Sequence, residues 1–568
     1  MRCSLIIVVV ALLATAWLGG CGGGPAETST RLFRYNEFED LNSLDPARIN
    51  NRAAWWVGNQ IYVGLVTLDS TMNPVPQLAR SWDVSEDGRS WRFHLRTDVR
   101  FADDPAFPQG KGRRITAEDV RYSFERICDP AATSTGFWVF RGKVAGAEEF
   151  FDARKRGSSD GPASVSGIRA VDDSTFELEL VEPFAPMLPL LSIPYCYIVA
   201  REAVQKYGSE YLRHPVGGGP FRLAEWTQGQ RVVLVRNANY YEKDETGTPL
   251  PYLDSVVVSF VKDKKSEFAE YEAGRLDAIS TIDPTLLDRI FDKKGSVKEG
   301  FARHGLHQVP SMSVEYYGFM LDTTTAGGTK SPFAVNGHLR RALNYAIDRE
   351  ALARFVLRGQ GTPATNGPIP PGTPGFSGVA GYHLDRDRAR RLLDSAGYPE
   401  GKGLPEITLQ ISEGARNLAV GQAIQDQLKA IGVTLRIAQV APPQHREMVS
   451  TGKLPFWRAN WMADYADGEN FLVLFYSPYA SPSGSNTTHF SDPRFDALYR
   501  KGLDPRLSRD ERAAVYRQAE RIVLDVAPWI LLYHTKIQRL TQPGVTGYRV
   551  DPLDRLALAT VRKTRIKQ

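Results

Sequence analysis

Residues 458–472, RANWMADYADGENFL, hold an arginine, a tryptophan and acidic side chains in one short run with apolar flanks. The pattern is typical neither of a clean helix nor of a clean strand. Arg458 and Asp464 are too far apart to pair on one helix face, where partners lie about three or four residues apart. An acid and a base that stay unpaired suit a ligand with one charge at each end, such as a short peptide. Ordinary surface charges, which contribute little, are the alternative interpretation.

The composition indicates a globular protein with more than one hydrophobic core. A chain of 568 residues exceeds what one core normally organises and corresponds to about three or four domains. The formal net charge of +5 is spread along the chain. Nucleic-acid-binding proteins gather their basic residues on one face, so we expect no nucleic-acid partner.

Residues 1–20 are predicted to be a lipoprotein signal peptide. Arg2 supplies a positive charge, and the apolar run 5–13 is too short to span a bilayer. The tetrapeptide LGGC that ends at Cys21 resembles the lipobox of bacterial lipoproteins, which implies cleavage before Cys21 and lipid attachment to it. An ordinary signal peptide with a chance cysteine is the alternative. Residues 21–30 are then expected to be a flexible tether.

The cysteines and histidines give no clear sign of a metal or a cofactor. Outside the leader, Cys128 and Cys196 either form a disulfide or stay buried as free thiols, and both interpretations remain open. His304 and His307 form an isolated HxxH, which we interpret as loop or strand-edge histidines. We therefore expect neither a metal site nor a cofactor.

Strand and helix patterns alternate along the rest of the chain, which favours an α/β architecture. Helix starts are marked by capping sequences at Thr116 and Ser508. The predicted elements are a strand at 32–38, a helix leading into a strand at 50–68, a hairpin at 78–104, a helix at 116–127, a strand at 175–180, helices at 385–397 and 416–432, a strand at 433–437, a helix from 508 to about 526 and a strand at 528–534.

An ordered set of short motifs resembles the large solute-binding proteins of oligopeptide, dipeptide and nickel ABC transporters, with the oligopeptide branch most similar. The similarity extends from about residue 32 to the carboxyl end. The motifs are SLDP at 43–46, the run LARSWDVSEDGRSWRFHLR from residue 78, GGGPFRL at 217–223, RNANYY at 236–241 and the Asp348-Arg349 pair that closes a helix.

This resemblance implies a two-lobed α/β clamshell of the periplasmic-binding-protein type II class, with an extra α+β domain inserted in the first lobe. The expected limits are then 31–62, 188–305 and 531–568 for lobe I, 63–187 for domain II and 306–530 for lobe III.

The same resemblance implies several ligand-binding residues. In the oligopeptide branch the segment R-A-x-W-x-A-D-Y carries an aspartate that binds the peptide's amino terminus, and the matching residue is Asp464. Arg458 matches the arginine that is available to a ligand carboxylate, and Arg416 falls near a second carboxylate partner. Asn50 and Arg52 fall where early residues border the peptide.

Four aromatic residues are expected as walls of side-chain pockets, although each is alternatively a core residue, because aromatic rings bury large areas in any case. They are Phe137, Trp138, Trp461 and Tyr533. Gly468 stands where the family usually has proline, which implies a different local turn.

The resemblance implies a substrate-binding lipoprotein of an ABC importer. It is expected to capture short peptides and deliver them to a permease with its ATPase subunits. We expect a monomer in the periplasm or at the cell surface, held at the membrane by lipid on Cys21. The same fold with a nickel chelate, an oligosaccharide, an opine or a murein peptide as ligand is the first alternative.

A lipid-anchored hydrolase is an alternative from another class, and a sensory or adhesive lipoprotein is a third. The sequence contains neither G-x-S-x-G nor H-E-x-x-H, so we expect no catalytic residues. Catalytic triads are defined by geometry, however, so the motifs alone do not decide. The glycines 217–219 indicate either a tight turn or a loop that faces a ligand.

Overall fold

The computed structural model of the chain describes residues 31–158, 160–292, 296–322 and 331–564. Its β-strands are β1 (Leu32–Asn36), β2 (Val66–Leu68), β3 (Pro74–Pro76), β4 (Ala79–Val84), β5 (Ser90–Leu95), β6 (Ile168–Asp172), β7 (Thr175–Glu179), β8 (Phe221–Thr227), β9 (Arg231–Arg236), β10 (Ser255–Ser259), β11 (Ala278–Ile279), β12 (Gly305–Pro310), β13 (Ser313–Phe319), β14 (Gly361–Pro363), β15 (Ile407–Ser412), β16 (Leu435–Val440), β17 (Phe456–Met462), β18 (Trp529–Thr541), β19 (Val545–Thr546) and β20 (Arg562–Lys563).

The α-helices lie between these strands, as the predicted α/β alternation requires. They are α1 (Arg52–Ile61), α2 (Ala117–Cys128), α3 (Ala147–Arg156), α4 (Met187–Leu191), α5 (Arg201–Tyr207), α6 (Lys264–Glu272), α7 (Leu287–Ile290), α8 (Pro332–Val335), α9 (Gly337–Tyr345), α10 (Arg349–Ala351), α11 (Arg386–Ser395), α12 (Ala415–Lys429), α13 (Pro442–Ser450), α14 (Glu469–Leu472), α15 (Pro493–Gly502) and α16 (Arg509–Val526).

A twelve-stranded mixed sheet runs through most of the molecule. Its main path is β16-β15-β17-β13-β18-β11-β1-β10-β9-β8, with β12 and β14 also paired to β18. The amino-terminal part of β18 pairs with β13 and β14, whereas residues 536–541 pair with β12. The strand β18 therefore connects two halves of the sheet without a break.

A separate antiparallel sheet, with the strand order β4-β5-β7-β6, lies within residues 79–179. The predicted hairpin is confirmed as β4 and β5. The predicted helix start at Thr116 is also confirmed, because Thr116 and Asp119 form a reciprocal capping box. A second capping box joins Ser508 and Glu511 at the start of α16, as predicted.

The buried apolar residues form several clusters, as expected for a chain of this length. The largest combines mainly residues 33–260 with residues near the carboxyl end, and two others lie mainly within residues 312–533. The proposed limits of lobe I, domain II and lobe III stay a prediction. The change of sheet partner along β18 lies near residues 535 and 536.

Two local expectations need correction. Residues 456–462 form the regular strand β17, so Arg458 and Trp461 lie on a strand where an irregular run was predicted. The acidic and glycine residues that follow β17 in the same run obscured the alternation of apolar and polar residues within the strand. The strand predicted at 528–534 continues to Thr541, because its second half gains β12 as a partner.

The predicted signal peptide, the tether and Cys21 lie outside the described residues. Within the described part of the chain, no helix has the length and apolar character needed to cross a bilayer. Cys128 and Cys196 are both buried and unbonded to each other, so the free-thiol interpretation holds in the structure. Burial raises the pKa of both thiols, which makes them poor nucleophiles.

Arg349 fastens the helical layer to β18. It is 2% exposed, and its guanidinium donates to the carbonyl oxygens of Leu531 at 2.6 Å, Asn344 at 3.1 Å and Ile347 at 3.3 Å. It also donates to Asn344 Oδ1 at 3.1 Å. These bonds explain why the Asp348-Arg349 pair follows a helix: Asp348 caps α10, and Arg349 turns inward.

Replacing Arg349 with methionine is expected to lower the free energy of unfolding by about 2–4 kcal/mol, because it leaves buried carbonyl groups without their donors. Urea unfolding followed by circular dichroism measures the change. Arg391→Met, an exposed change on α11, is the matched control and should shift stability by less than about 0.5 kcal/mol. Equal midpoints for the two variants would contradict the role given to Arg349.

Candidate ligand-binding site

Asp464 lies two residues beyond the end of β17, and the chain around it is held by Asn470. The backbone N–H of Asp464 donates to Asn470 Oδ1 at 3.0 Å. The indole N–H of Trp461 donates to the same oxygen at 3.1 Å. Because Asn470 lies in α14 and is 3% exposed, this helix fixes the direction in which the chain leaves the strand.

The Asp464 carboxylate is desolvated and lacks a cation. Burial raises its pKa to about 6, and a hydrogen bond from Asn470 only partly offsets this effect. Across residues 31–158, 160–292, 296–322 and 331–564, no lysine, arginine or histidine forms an ion pair with Asp464. A buried carboxylate without a partner is costly, and the group responds by favouring its protonated form.

Tyr195 faces Asp464 from a distant part of the chain. Burial raises the pKa of the Tyr195 phenol, and the nearby Asp464 carboxylate raises it further. The Tyr195 hydroxyl lies 3.1 Å from Thr135 Oγ1. Its ring meets the ring of Trp138 edge to face, with 6.2 Å between the ring centroids. Asp464 therefore lies opposite a surface formed by Thr135, Trp138 and Tyr195.

The two surfaces also touch at their rim. The backbone N–H of Ala185 donates to the Leu503 carbonyl at 2.8 Å. Arg509 Nη1 donates to Asn73 Oδ1 at 3.3 Å. The buried Glu469 carboxylate also attracts the Lys143 ammonium, although burial lowers the pKa of Lys143 by a larger effect. These contacts bring the segments around Asn73, Lys143 and Ala185 against the region that follows β17.

Arg458 has an internal partner. Its Nη2 lies 2.5 Å from Glu315 Oε2, and the two side chains are only 19% and 10% exposed. The sheet register explains the pair: Arg458 is opposite Tyr317 and Glu315 is opposite Asn460, so the two charged residues are diagonal neighbours on one face. Burial raises the pKa of Glu315, and the Arg458 charge opposes this shift.

Arg416 and Tyr533 lie near this pair. Arg416 is exposed in the first turn of α12, and its Nη2 donates to Gln360 Oε1 at 2.9 Å. Its charge also helps to hold down the pKa of Glu315. Tyr533 is opposite Glu315 in the β13–β18 pairing and is 3% exposed, so most of its ring belongs to the core. Arg416, Arg458 and Tyr533 thus meet around Glu315.

The other aromatic candidates differ in exposure. Trp138 is 37% exposed beside Tyr195, as a pocket wall would be. Phe137 stacks on Phe151 with ring centroids 4.2 Å apart. Trp461 is opposite Val314, on the face of β17 that faces away from Arg458, and packs against a core cluster. The structure therefore brings Trp138 close to the Asp464 surface, while Phe137 and Trp461 have packing partners of their own.

Asn50 and Arg52 belong to another part of the molecule. Asn50 is exposed and accepts a hydrogen bond from Asn42 at 2.7 Å. Arg52 lies at the start of α1, where it forms ion pairs with Glu37 at 2.8 Å and Asp554 at 3.5 Å. The structure places these two residues in the surroundings of β1, not beside Asp464 or Arg458.

The glycines singled out in the sequence, 217–219 and 468, lie where the backbone is closely packed. A Cβ on Gly217 would lie 2.3 Å from the Ile61 carbonyl oxygen, and one on Gly219 would lie 2.6 Å from the Ile61 carbonyl carbon. The triplet thus allows two backbones to approach closely. A Cβ on Gly468 would lie 2.9 Å from Ile369 Cδ1, so the turn before α14 is also tight.

His304 and His307 have separate partners, as loop or strand-edge histidines do. His304 Nδ1 lies 2.6 Å from the Tyr271 hydroxyl, and His307 Nε2, on β12, lies 3.1 Å from Thr541 Oγ1. Among the described residues, no group of three or more His, Cys, Asp or Glu side chains is placed to hold a metal ion.

Three residues of this site were missed in the sequence: Tyr195, Glu315 and Asn470. Tyr195 and Glu315 are more than a hundred positions from the residues they approach, so only the fold reveals them. Asn470 lies inside the segment that drew attention first. Its type gave a weak signal, because an asparagine at the start of a short helix commonly forms a local hydrogen bond.

Known proteins match this chain over most of its length. The family model "Bacterial extracellular solute-binding proteins, family 5 Middle" matches residues 73–483. The periplasmic oligopeptide-binding protein OppA of Escherichia coli is 27% identical over 530 residues, 91% of this chain and 90% of OppA. Heme-binding protein A of Haemophilus influenzae is 30% identical over 510 residues, 87% of this chain and 85% of that protein. The unliganded open form of MppA, a periplasmic murein tripeptide binding protein, has a TM-score of 0.78 at 24% identity and covers 94% of this chain and 98% of MppA.

The fold is that of the two-lobed periplasmic binding proteins of the type II peptide-binding class, which confirms the predicted fold class. The chain belongs to the bacterial extracellular solute-binding proteins of family 5, and the predicted family resemblance is confirmed. Members of this family are binding proteins of ABC transporters, and several relatives are periplasmic.

The Asp464 carboxyl is expected to titrate near pH 6 in the ligand-free protein, because burial raises its pKa. Carbon-13 NMR of labelled aspartate carboxyls measures the midpoint, and Asp464→Asn identifies the resonance. Asp103 is an internal reference, since hydrogen bonds led by that from Lys111 lower its pKa to about 2. A midpoint near 4, the ordinary range of aspartate, would contradict the burial described for Asp464.

Proposed function

We propose that this protein is the substrate-binding subunit of an ABC importer and captures short peptides between its two lobes. The observation that carries the proposal is the partly buried Asp464 carboxylate, which has no cationic partner in the described part of the chain and lies close to Tyr195. The ammonium group at the start of a peptide supplies the missing charge. A peptide is a simple ligand that carries such an ammonium group and has a backbone that can occupy the space beside Asp464.

The surroundings of Asp464 fit such a ligand. On the opposite surface Trp138 offers a partly exposed ring, and the mostly buried Tyr195 offers its hydroxyl. Arg458 lies farther back along β17, paired with Glu315, and Arg416 at the start of α12 adds one net positive charge there. A peptide that runs from Asp464 toward these residues meets an anion at its amino end and net positive charge farther along. Edge hydrogen bonds to its backbone give affinity that does not depend on side chains.

Closure of the two lobes around the ligand produces the form that the transporter recognises. In hinged binding proteins the ligand stabilises the closed form, and the permease with its ATPase subunits recognises that form. The contacts of Ala185 with Leu503 and of Asn73 with Arg509 belong to the rim that closes.

Two relatives named for peptides, OppA and MppA, support a peptide as the ligand, and heme-binding protein A suggests a different one. A tetrapyrrole brings carboxylates and an apolar ring but no ammonium group. It therefore gives no partner to Asp464, and for this reason we favour the peptide. Native mass spectrometry of the freshly purified protein separates the two, because a retained ligand reveals its mass.

Wild-type protein is expected to bind tri- to pentapeptides with free amino termini, and Asp464→Asn should weaken binding by about 100-fold or more. The loss follows from an ammonium left without its buried partner, a cost of about 3–5 kcal/mol. Isothermal titration calorimetry gives both affinities. Asp510→Asn, an exposed change on α16, is the matched control and should leave affinity unchanged.

The affinity should also depend on pH through Asp464 alone. Because the carboxyl must be ionised to hold an ammonium, and its pKa is raised to about 6 in the free protein, binding should weaken about tenfold between pH 7 and pH 5. In Asp464→Asn this dependence should disappear. Equal affinities of wild type and Asp464→Asn for every peptide would remove Asp464 from the site and contradict the proposed function.

The protein is also proposed to be anchored by lipid on Cys21, on the strength of the LGGC tetrapeptide that follows the apolar run. With the whole leader expressed in a bacterium, the mature protein should begin at an acylated Cys21 and sediment with membranes. Cys21→Ala should block acylation, whereas Cys3→Ala, a second cysteine of the leader, should not. Mass spectrometry of the mature amino terminus decides, and a terminus at any other residue would contradict the anchor.

A further inference from the structure

The arginine that would meet a ligand carboxylate is already neutralised within the protein. Arg458 and Glu315 form a 2.5 Å ion pair in which both side chains are mostly buried. The antiparallel register of β13 and β17 fixes both on one sheet face, so the pair does not depend on a flexible loop. A ligand carboxylate that approaches Arg458 must therefore compete with Glu315 for the same guanidinium.

Arg416 is in the opposite situation. It is exposed, and its side-chain hydrogen bond goes to the neutral amide of Gln360. Among the described residues no carboxylate forms an ion pair with it. The group of Arg458, Arg416 and Glu315 thus carries one net positive charge, and Arg416 is the residue that offers it to solvent.

Because a buried pair with good geometry resists exchange, the two arginines are not equivalent toward a ligand. Displacing Glu315 from Arg458 leaves a buried carboxylate without its partner. A carboxylate that binds Arg416 causes no such loss. Arg458 and Arg416 differ in their availability to a ligand carboxylate because Glu315, on β13, pairs diagonally with Arg458.

We propose that Glu315 determines the charge selectivity of this end of the site. By holding Arg458 in an internal ion pair, it restricts recognition of a ligand carboxylate to Arg416, so that the protein distinguishes only weakly between a peptide with a free carboxyl terminus and the same peptide with an amidated one. The inference rests on the proposed peptide-binding function and extends it to the class of peptides accepted.

The test uses the full mature chain and the peptide of highest affinity from the calorimetric series, as its free acid and as its carboxyl-terminal amide. Wild type should favour the acid by less than tenfold. Glu315→Gln keeps the shape of the side chain but removes its charge, which releases Arg458. In that variant the preference for the acid should rise at least tenfold, mainly because the acid binds more tightly.

Arg416→Gln provides a second and independent arm, since this exposed residue can change without disturbing the core. It should remove the remaining preference of the wild type for the acid and change the affinity for the amide by less than twofold. Thermal unfolding verifies that both variants are folded. If Glu315→Gln does not fold, the Arg416→Gln result decides alone.

The outcomes separate the two proposals. If peptides bind but the acid-to-amide ratio is the same in wild type and Glu315→Gln, the role of Glu315 is wrong while the proposed function stands. A wild type that already favours the acid by 100-fold or more, or an Arg416→Gln variant that loses acid and amide equally, also overturns the inference. If neither form of any peptide binds the wild type, the proposed function fails and the inference fails with it.

Discussion

A carboxylate removed from water needs a positive charge or a proton, and the protein around Asp464 provides no cation in the described part of the chain. The contacts around Asp464 position this carboxylate without bringing a cation to it. Asn470 fixes the turn that presents Asp464, and Tyr195 closes the space from the other side without contributing a charge. The unfavourable desolvation is thus built into the fold, and either a proton or an added cation relieves it.

The two ends of the candidate site solve the problem of buried charge differently. Near Asp464 the charge is left unpaired, whereas Glu315 and Arg458 satisfy each other within the sheet. A site with both ends unpaired would be strained at both ends without ligand. In this protein the cost of an unpaired charge is confined to Asp464. The ion pair between Glu315 and Arg458 stabilises the charged face of the β13–β17 pair without a ligand.

Local signals predicted much of the fold. The capping boxes at Thr116 and Ser508 mark helix starts through contacts within four residues, so the sequence contains the whole interaction. The strand β17 was missed because the segment 458–472 joins its second half to the turn and helix that follow, which obscured the alternation of Trp457, Ala459 and Trp461 with Arg458 and Asn460.

The site itself was only half predictable. Asp464 and Arg458 were identified by their types and spacing, but the residues that face them are set by tertiary structure. Glu315 becomes relevant only when the register of β13 against β17 is known, and Tyr195 only when two distant segments face each other. Arg52 was predicted from its motif position to border a ligand; in the structure Glu37 and Asp554 hold it in an ion-pair network, and its contact with a ligand stays a prediction.

The unbroken strand β18 has a consequence for how the halves of the molecule move. Its hydrogen-bond partners change near residues 535 and 536, from β13 and β14 to β12, yet the backbone continues through the change. A rotation of one half against the other can be absorbed by a few backbone torsions at this point, with the ladders on both sides left intact. A hinge at this point would sacrifice no sheet hydrogen bonds, so its opening would be resisted mainly by small contacts such as those of Ala185 with Leu503 and of Asn73 with Arg509.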